Sequence, residues 1–151
     1  MSGELQSRAS KMKKVLIIII TCCLYIPAFT QTDEAPKPVA PYSQSRMTAA
    51  GMLYISGQIP INPDTGELLK GDIKNETRQV MENIRAILKA NNMSFSDVVK
   101  CTVFLTDIGD FKAMNEVYGS FFIDTFPARE AIEVVNLPLG ASIEISAIAS
   151  K

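Results

Sequence analysis

The 151-residue sequence contains no histidine. That absence removes Ser-His-Asp and Cys-His nucleophilic catalysis, the histidine-ligated zinc sites, and the default general base near neutral pH. Any chemistry must come from carboxylates, tyrosine, arginine, hydroxyl groups or the backbone. Cysteine is nearly as scarce. Cys22 and Cys23 lie in an apolar leader, so Cys101 stands alone in the body of the chain. One thiol makes neither a disulfide framework nor a thiolate metal cage. Within Val98-Val99-Lys100-Cys101-Thr102-Val103, its expected place is the core, as a small apolar residue. A basic stripe is missing too. From Thr32 onward, 11 Lys and Arg stand against 15 Asp and Glu, a net charge of −4, which argues against nucleic acid as a partner. Gly66 and Gly71 lack the spacing and the following lysine of a phosphate loop.

The leader is also too short to span a bilayer. Val15 to Ile26 is an apolar run of about 12 residues broken only by Thr21, against the roughly 20 a spanning helix needs. Met12-Lys13-Lys14 precedes it and Pro27-Ala28-Phe29-Thr30-Gln31 follows it. This is the pattern of a secretory signal starting at Met12 and cleaved after Thr30. The expectation is an exported, periplasmic bacterial protein without stable membrane association after cleavage. An uncleaved anchor is the alternative. Residues 1–31 are then an N-terminal extension plus signal, residues 32–40 a linker carrying Pro36 and Pro38, and residues 41–151 one domain.

Within that domain, Pro41 to Thr48 and Met52 to Ser56 read as strands joined at Ala49-Ala50-Gly51. Asn62-Pro63-Asp64-Thr65-Gly66 is a turn. Asp72 is an N-cap for a helix running to about Ala90, with Asn91-Asn92 suited to its end. Ile73, Thr77, Val80, Met81, Ile84, Ile87 and Leu88 form its apolar face, whereas Glu76, Arg78, Glu82, Arg85 and Lys89 are expected mostly outside it. A β-branched strand covers Asp97 to Thr106, and Asp110 caps a second helix with Phe111, Met114, Val117, Tyr118 and Phe121 as its stripe. Arg129 to Val135 and Ala141 to Ala149 are the closing strands, joined at Asn136-Leu137-Pro138-Leu139-Gly140. The order β-β-α-β-α-β-β gives an α+β sandwich, two helices on one face of a mixed sheet. The second face is rich in Val, Ile and Ala and is expected to pack against other subunits.

The closing strands each carry one notable charge. Arg129 can grip an anion with a bidentate fork, and Glu144, flanked by Ile143 and Ile145, is a candidate acid/base. The competing reading makes both ordinary charges on the wet face of a hairpin.

Several separate motifs then resemble one family. Ala40-Pro41-Tyr42-Ser43-Gln44, Tyr54-Ile55-Ser56-Gly57-Gln58-Ile59-Pro60, Asn62-Pro63, the run Asp107 to Tyr118, Phe126-Pro127-Ala128-Arg129 and Ile143-Glu144-Ile145 are similar, in order, to the RidA/YjgF reactive-intermediate deaminases. The resemblance runs from about Ala35 to Ala149. It implies a chorismate-mutase-like fold, a homotrimer whose sheets line a central barrel, and active sites between subunits. It also implies hydrolysis of 2-imino acids and enamines (2-iminobutanoate, 2-iminopropanoate/2-aminoacrylate) to 2-oxo acids and ammonia, with neither cofactor nor metal. Arg129 would clamp the substrate carboxylate, Glu144 would activate water and relay protons, and Tyr42, Ser56, Gly57 and Asn115 would line the pocket. Each lining residue has a plainer alternative. Tyr42 packs beside Pro41, Ser56 satisfies a local backbone group, and Asn115 is an exposed helix residue. A trimer that binds small carboxylates without turnover is the alternative function, with ribonuclease or chaperone-like behaviour behind it. Two departures from the family stand out. Ala131 replaces a cysteine found in some members, and Glu130 puts a negative charge next to the anion-binding arginine.

Overall fold

The structure is a computed structural model that describes residues 31–151. The expected extension, signal and cleavage point lie outside the described residues. The elements are β1 (Ser45–Met47), β2 (Met52–Gln58), α1 (Ile73–Ala90), β3 (Val98–Leu105), α2 (Phe111–Gly119), β4 (Ala128–Glu133) and β5 (Ile143–Ser150), with short 3-10 turns between them. The two helices lie against a five-stranded mixed sheet in the expected order.

Helix α1 starts where its sequence says it should. Asp72 is extended, and its carboxylate accepts from the Lys74 N–H at 2.9 Å, satisfying one of the orphan donors of the first turn. It ends in a Schellman arrangement: Met93 N–H reaches Leu88 O at 2.9 Å and Asn92 N–H reaches Lys89 O at 3.0 Å. Asn92 takes the left-handed conformation (φ 56°) that this motif requires. Val80, Ile84, Ile87 and Leu88 are fully buried against the sheet. Glu76 departs from expectation and is buried. Its Oε1 accepts from the Gly71 N–H at 2.9 Å, so it closes the loop before the helix instead of facing solvent. Asn83, also buried, donates to the carbonyls of Ile59 and Ile61 at 3.3 and 3.0 Å. Helix polar groups thus fix the 59–71 loop.

The strand order is β1-β2-β5-β3-β4. β5 is antiparallel to both β2 and β3, while β4 runs parallel to β3 at the edge. The hairpin reading of the closing strands is therefore wrong: β3 lies between them. Pro138 has no N–H and a fixed φ, and Pro138–Gly140 forms a 3-10 turn that redirects the chain instead of pairing its flanks. β1 is shorter than expected, beginning at Ser45. Pro41 cannot donate to a ladder, and Gln44 turns its side chain away to bond the segment before it.

Alternation decides the faces. Ile143, Ile145, Ala147 and Ala149 of β5 are buried on the helix side with Leu53, Ile55, Cys101, Val103 and Leu105. Cys101 is thus the core residue its surroundings predicted. Glu144, Ser146 and Ile148 alternate onto the open face and are only partly covered.

Candidate functional site

Arg129 begins the edge strand, level with Cys101 of β3. Cys101 faces the helices, so Arg129 does too. Its guanidinium lies over the Tyr118 ring, 4.6 Å from the centroid, with the Phe111 ring at 5.5 Å. Both rings come from α2, where Tyr118 belongs to the predicted core stripe and is buried. The ring faces attract the cation without neutralising it. Among the described residues Arg129 has no carboxylate partner. It lines a cleft of about 410 Å³ with Asn115, Tyr118, Gly119, Phe126 and Pro127. The Asn115 amide is likewise without a hydrogen-bond partner among the described residues. Glu130, one residue on, alternates to the opposite face, and its carboxylate pairs with Lys100 Nζ at 3.1 Å. Its charge does not compete at the Arg129 cleft.

Beneath this platform the Tyr118 hydroxyl is buried, and among the described residues it meets only the Cys101 thiol, too loosely placed for a hydrogen bond of ordinary geometry. Burial, and secondarily the neighbouring Cys101 thiol, push its pKa well above the ordinary phenol value. Burial also pushes the Cys101 thiol up. Both stay neutral at physiological pH, so neither is a ready nucleophile or base.

Glu144 sits on the central strand, level with Phe104 of β3, and points to the open face. Between Ile55 and Gln58 the register of β2 against β5 shifts: Ile55 pairs with Ala147, but Gln58 pairs with Ile145. Three steps on β2 match two on β5, which is a bulge at Ser56–Gly57. The bulge brings the Gly57 backbone under the Glu144 carboxylate. A Cβ added at Gly57 would lie 2.6 Å from Glu144 Cδ and would overlap Oε1. Only glycine leaves room for the carboxylate there. Glu144 has no hydrogen-bond or ion-pair partner among the described residues, and its burial raises its pKa. A desolvated, unpaired carboxylate is what such a rise requires. The Ser56 hydroxyl donates to Ser43 O at 2.7 Å, which is the local role foreseen as its alternative, while its lone pairs remain available. Tyr42 is about half exposed. Tyr42, Ser56, Gly57 and Glu144 line one cavity of about 360 Å³.

The six predicted residues therefore form two groups. Glu144, Tyr42, Ser56 and Gly57 are gathered in one cavity, and Arg129 and Asn115 in another. β3 separates Arg129 from Glu144, and they point to opposite faces of the sheet. Sequence reading missed several contributors. The aromatic seat of Arg129 was read as core alone, though a Phe and a Tyr spaced by seven residues on one helix face did signal a paired platform. The bulge was signalled only by a glycine inside a strand. The 32–40 segment holds no helix or strand, yet Ala35 is buried in the core. Gln44, fully covered, donates to the carbonyls of Thr32, Ala35 and Pro36 at 2.9–3.1 Å and accepts from the Thr32 N–H at 2.9 Å. Nothing in the linker sequence announces that anchor. Among the described residues no group of acidic or thiol side chains could hold a metal ion, and no helix is long and apolar enough to cross a membrane.

Comparison with known proteins bears on this arrangement. The chain is 57% identical over 120 residues to a RutC family protein of Pyrococcus horikoshii, covering 80% of this chain and 94% of that one. It is 45% identical over 118 residues to human 2-iminobutanoate/2-iminopropanoate deaminase, covering 78% and 85% respectively. The crystal structure of the Escherichia coli YjgF gene product superposes with a TM-score of 0.76 at 42% identity, over 81% of this chain and 97% of that one. The fold is thus the chorismate-mutase-like YjgF type. Residues 32–151 match the family model described as Endoribonuclease L-PSP, and the chain belongs to that family, the RidA/YjgF family.

Proposed function

We propose that this chain hydrolyses 2-imino acids and their enamine tautomers, such as 2-iminobutanoate and 2-iminopropanoate/2-aminoacrylate, in sites formed between the subunits of a homotrimer. One observation carries the reading: a guanidinium and a half-buried carboxylate, each without an ion-pair partner among the described residues, lie in separate half-sites on opposite faces of one sheet. Neither half suffices for an imino acid, and a second copy of the chain can supply the missing one. The open sheet face, with Tyr54 and Ile132 about half exposed, offers the apolar surface for that assembly. The human and other mammalian relatives carry the deaminase name. The leader of residues 12–30 would place the activity in an exported compartment.

In this mechanism Arg129 from one subunit takes the substrate carboxylate through two parallel charge-assisted hydrogen bonds. Asn115 beside it can hold the same end of the substrate. Glu144 from the neighbour accepts a proton from water as the water oxygen bonds to C2 and the C=N π pair moves to nitrogen. The same proton then passes to that nitrogen to give a carbinolamine; Glu144 next takes the carbinolamine hydroxyl proton and delivers it to the amine, the C2–N bond breaks with its electron pair leaving on ammonia, and the C2–O bond becomes the carbonyl. An enamine first takes a proton at C3 and gives one up from nitrogen, which makes it the imine. Glu144's raised pKa brings it nearer neutrality, where one group can both accept and return a proton. Positioning and proton transfer suffice, because imines already hydrolyse in water.

The test generates imino acids in place with an amino-acid oxidase or a threonine dehydratase, in competition with semicarbazide trapping. Wild type should accelerate 2-oxo acid release and Arg129→Ala should not. No acceleration from trimeric wild type would overturn the reading and leave a carboxylate-binding protein.

A further inference from the structure

Arg85 and Arg129 both sit over aromatic rings, but among the described residues the chain supplies a carboxylate to only one of the two. Arg85, on α1, lies 4.7 Å from the Phe121 ring centroid and 5.8 Å from that of Phe95. Its Nη1 donates to both carboxylate oxygens of Glu82, at 2.8 and 2.7 Å. Arg129 has the same kind of seat, 4.6 Å from the Tyr118 centroid and 5.5 Å from that of Phe111, and no ion pair among the described residues. The Arg85 site shows that a guanidinium seated on rings still takes a carboxylate. At Arg129 the carboxylate comes from outside the protomer.

The Tyr118 ring is itself held in place. The residue is 3% exposed, and its ring packs on Phe122 with centroids 4.9 Å apart. Phe122 in turn meets Phe95 at 5.3 Å and Phe126 at 5.9 Å. A ring in such a cluster cannot tilt without disturbing its neighbours. Arg129, by contrast, is a long side chain on an edge strand and only partly covered. A flexible cation loses rotamer freedom each time it grips an anion, at a cost in affinity. An internal carboxylate would order it but would occupy the fork. A ring face orders it by attracting the cation and brings no competing negative charge. The tyrosine hydroxyl takes no ordinary hydrogen bond, so the ring is what this position contributes.

We infer that Tyr118 is a positioning residue for carboxylate binding: its buried ring, backed by Phe122, holds the Arg129 guanidinium in place so that the fork meets a substrate carboxylate already ordered. This role rests on the reading of Arg129 as the carboxylate clamp. Phe111, at the more exposed side of the seat, plays a smaller part in the same way.

The experiment uses the full chain as wild type, Tyr118→Leu, Tyr118→Phe and Phe111→Leu. Imines are supplied by an amino-acid oxidase, and pyruvate, which carries the carboxylate but undergoes no hydrolysis, is titrated by calorimetry. Tyr118→Leu should raise both KM and the pyruvate Kd about tenfold while kcat stays within about twofold. Tyr118→Phe keeps the ring and should stay within about twofold of wild type in all three. Phe111→Leu should weaken pyruvate binding about threefold. An unchanged pyruvate Kd in Tyr118→Leu, a fall in kcat without a rise in KM, or a loss in Tyr118→Phe as large as in Tyr118→Leu overturns the inference. If Tyr118→Leu does not fold, Phe111→Leu decides, since its site is partly exposed, and an unchanged Kd there overturns the seat. If wild type hydrolyses no imine but binds pyruvate with these differences, the deaminase reading fails while the role of Tyr118 stands. Absence of pyruvate binding by wild type overturns both.

Discussion

The Arg129 and Glu144 half-sites solve opposite electrostatic problems with different parts of the fold. Arg129 sits on the edge strand, and aromatic rings from α2 support it without cancelling its charge. Glu144 sits on the most enclosed strand, over a bulge with no Cβ, and is supported by nothing polar among the described residues. The arginine is left without a carboxylate partner among the described residues, whereas burial raises the pKa of the carboxylate. An arginine cannot be made neutral at physiological pH, so the fold positions it; a glutamate can, so the fold desolvates it. Charge on the first is permanent, and charge on the second is adjustable.

Replacing the charge at each half tests this contrast most strongly. Arg129→Ala should lower kcat/KM by about a thousandfold, the loss of two charge-assisted hydrogen bonds, and Arg129→Lys should recover little, because the fork is lost. Steady-state kinetics on the smaller imines would decide it. Glu144→Gln should lower kcat by roughly a hundredfold or more while leaving 2-oxo acid affinity nearly intact; equal loss of both would remove the proton-transfer role. The same variant makes a stability prediction. Burial raises the folded-state pKa of Glu144, so its contribution to stability is fully present below its ordinary value of about 4 and is lost as pH rises through the raised one. Glu144→Gln should therefore melt higher than wild type at pH 7, and the difference should vanish toward pH 4.

Mixing the two inactive variants breaks or confirms the separation itself. If Arg129 and Glu144 meet only across subunits, refolded equimolar mixtures should regain about a quarter of wild-type activity, since one pairing in four unites two intact halves. No recovery would place both groups in one subunit's site. Gly57→Ala should cost about tenfold in kcat by displacing the Glu144 carboxylate, with Arg129-dependent ligand binding preserved. Glu130→Ala should be the mildest. Its exposed pair with Lys100 is worth less than about 1 kcal/mol, and its place across the sheet from Arg129 predicts less than about a threefold change in KM.

Much of this fold is legible in the sequence. Asp72 and Asn92 mark the ends of α1 through local stereochemistry, and the alternation of Ile143, Ile145, Ala147 and Ala149 sorts β5 into two faces. The lack of histidine and the family motifs singled out Arg129 and Glu144 as candidates, and neither has an ion-pair partner among the described residues. Glu76 was misread because helical periodicity places it near the margin of the apolar face, and only the returning 66–71 loop covers it. The closing hairpin was misread for a similar reason. Nothing local to residues 128–150 says that β5 pairs with β2 and β3 instead of with β4.

The sequence by itself determined the element order, the caps of α1, the core-facing stripe of α1 and the residue types on which chemistry can draw, whereas Asp110 stands at the start of α2 without a side-chain cap bond. These depend on neighbours within a few positions along the chain. Tertiary structure alone decided that β3 lies between Arg129 and Glu144, that Gly57 passes beneath a carboxylate, and that Gln44 draws residues 32–36 onto the body of the protein. Each of those joins residues far apart in sequence, and their pairing is fixed by the global burial of apolar surface and the satisfaction of buried polar groups, which no local pattern encodes.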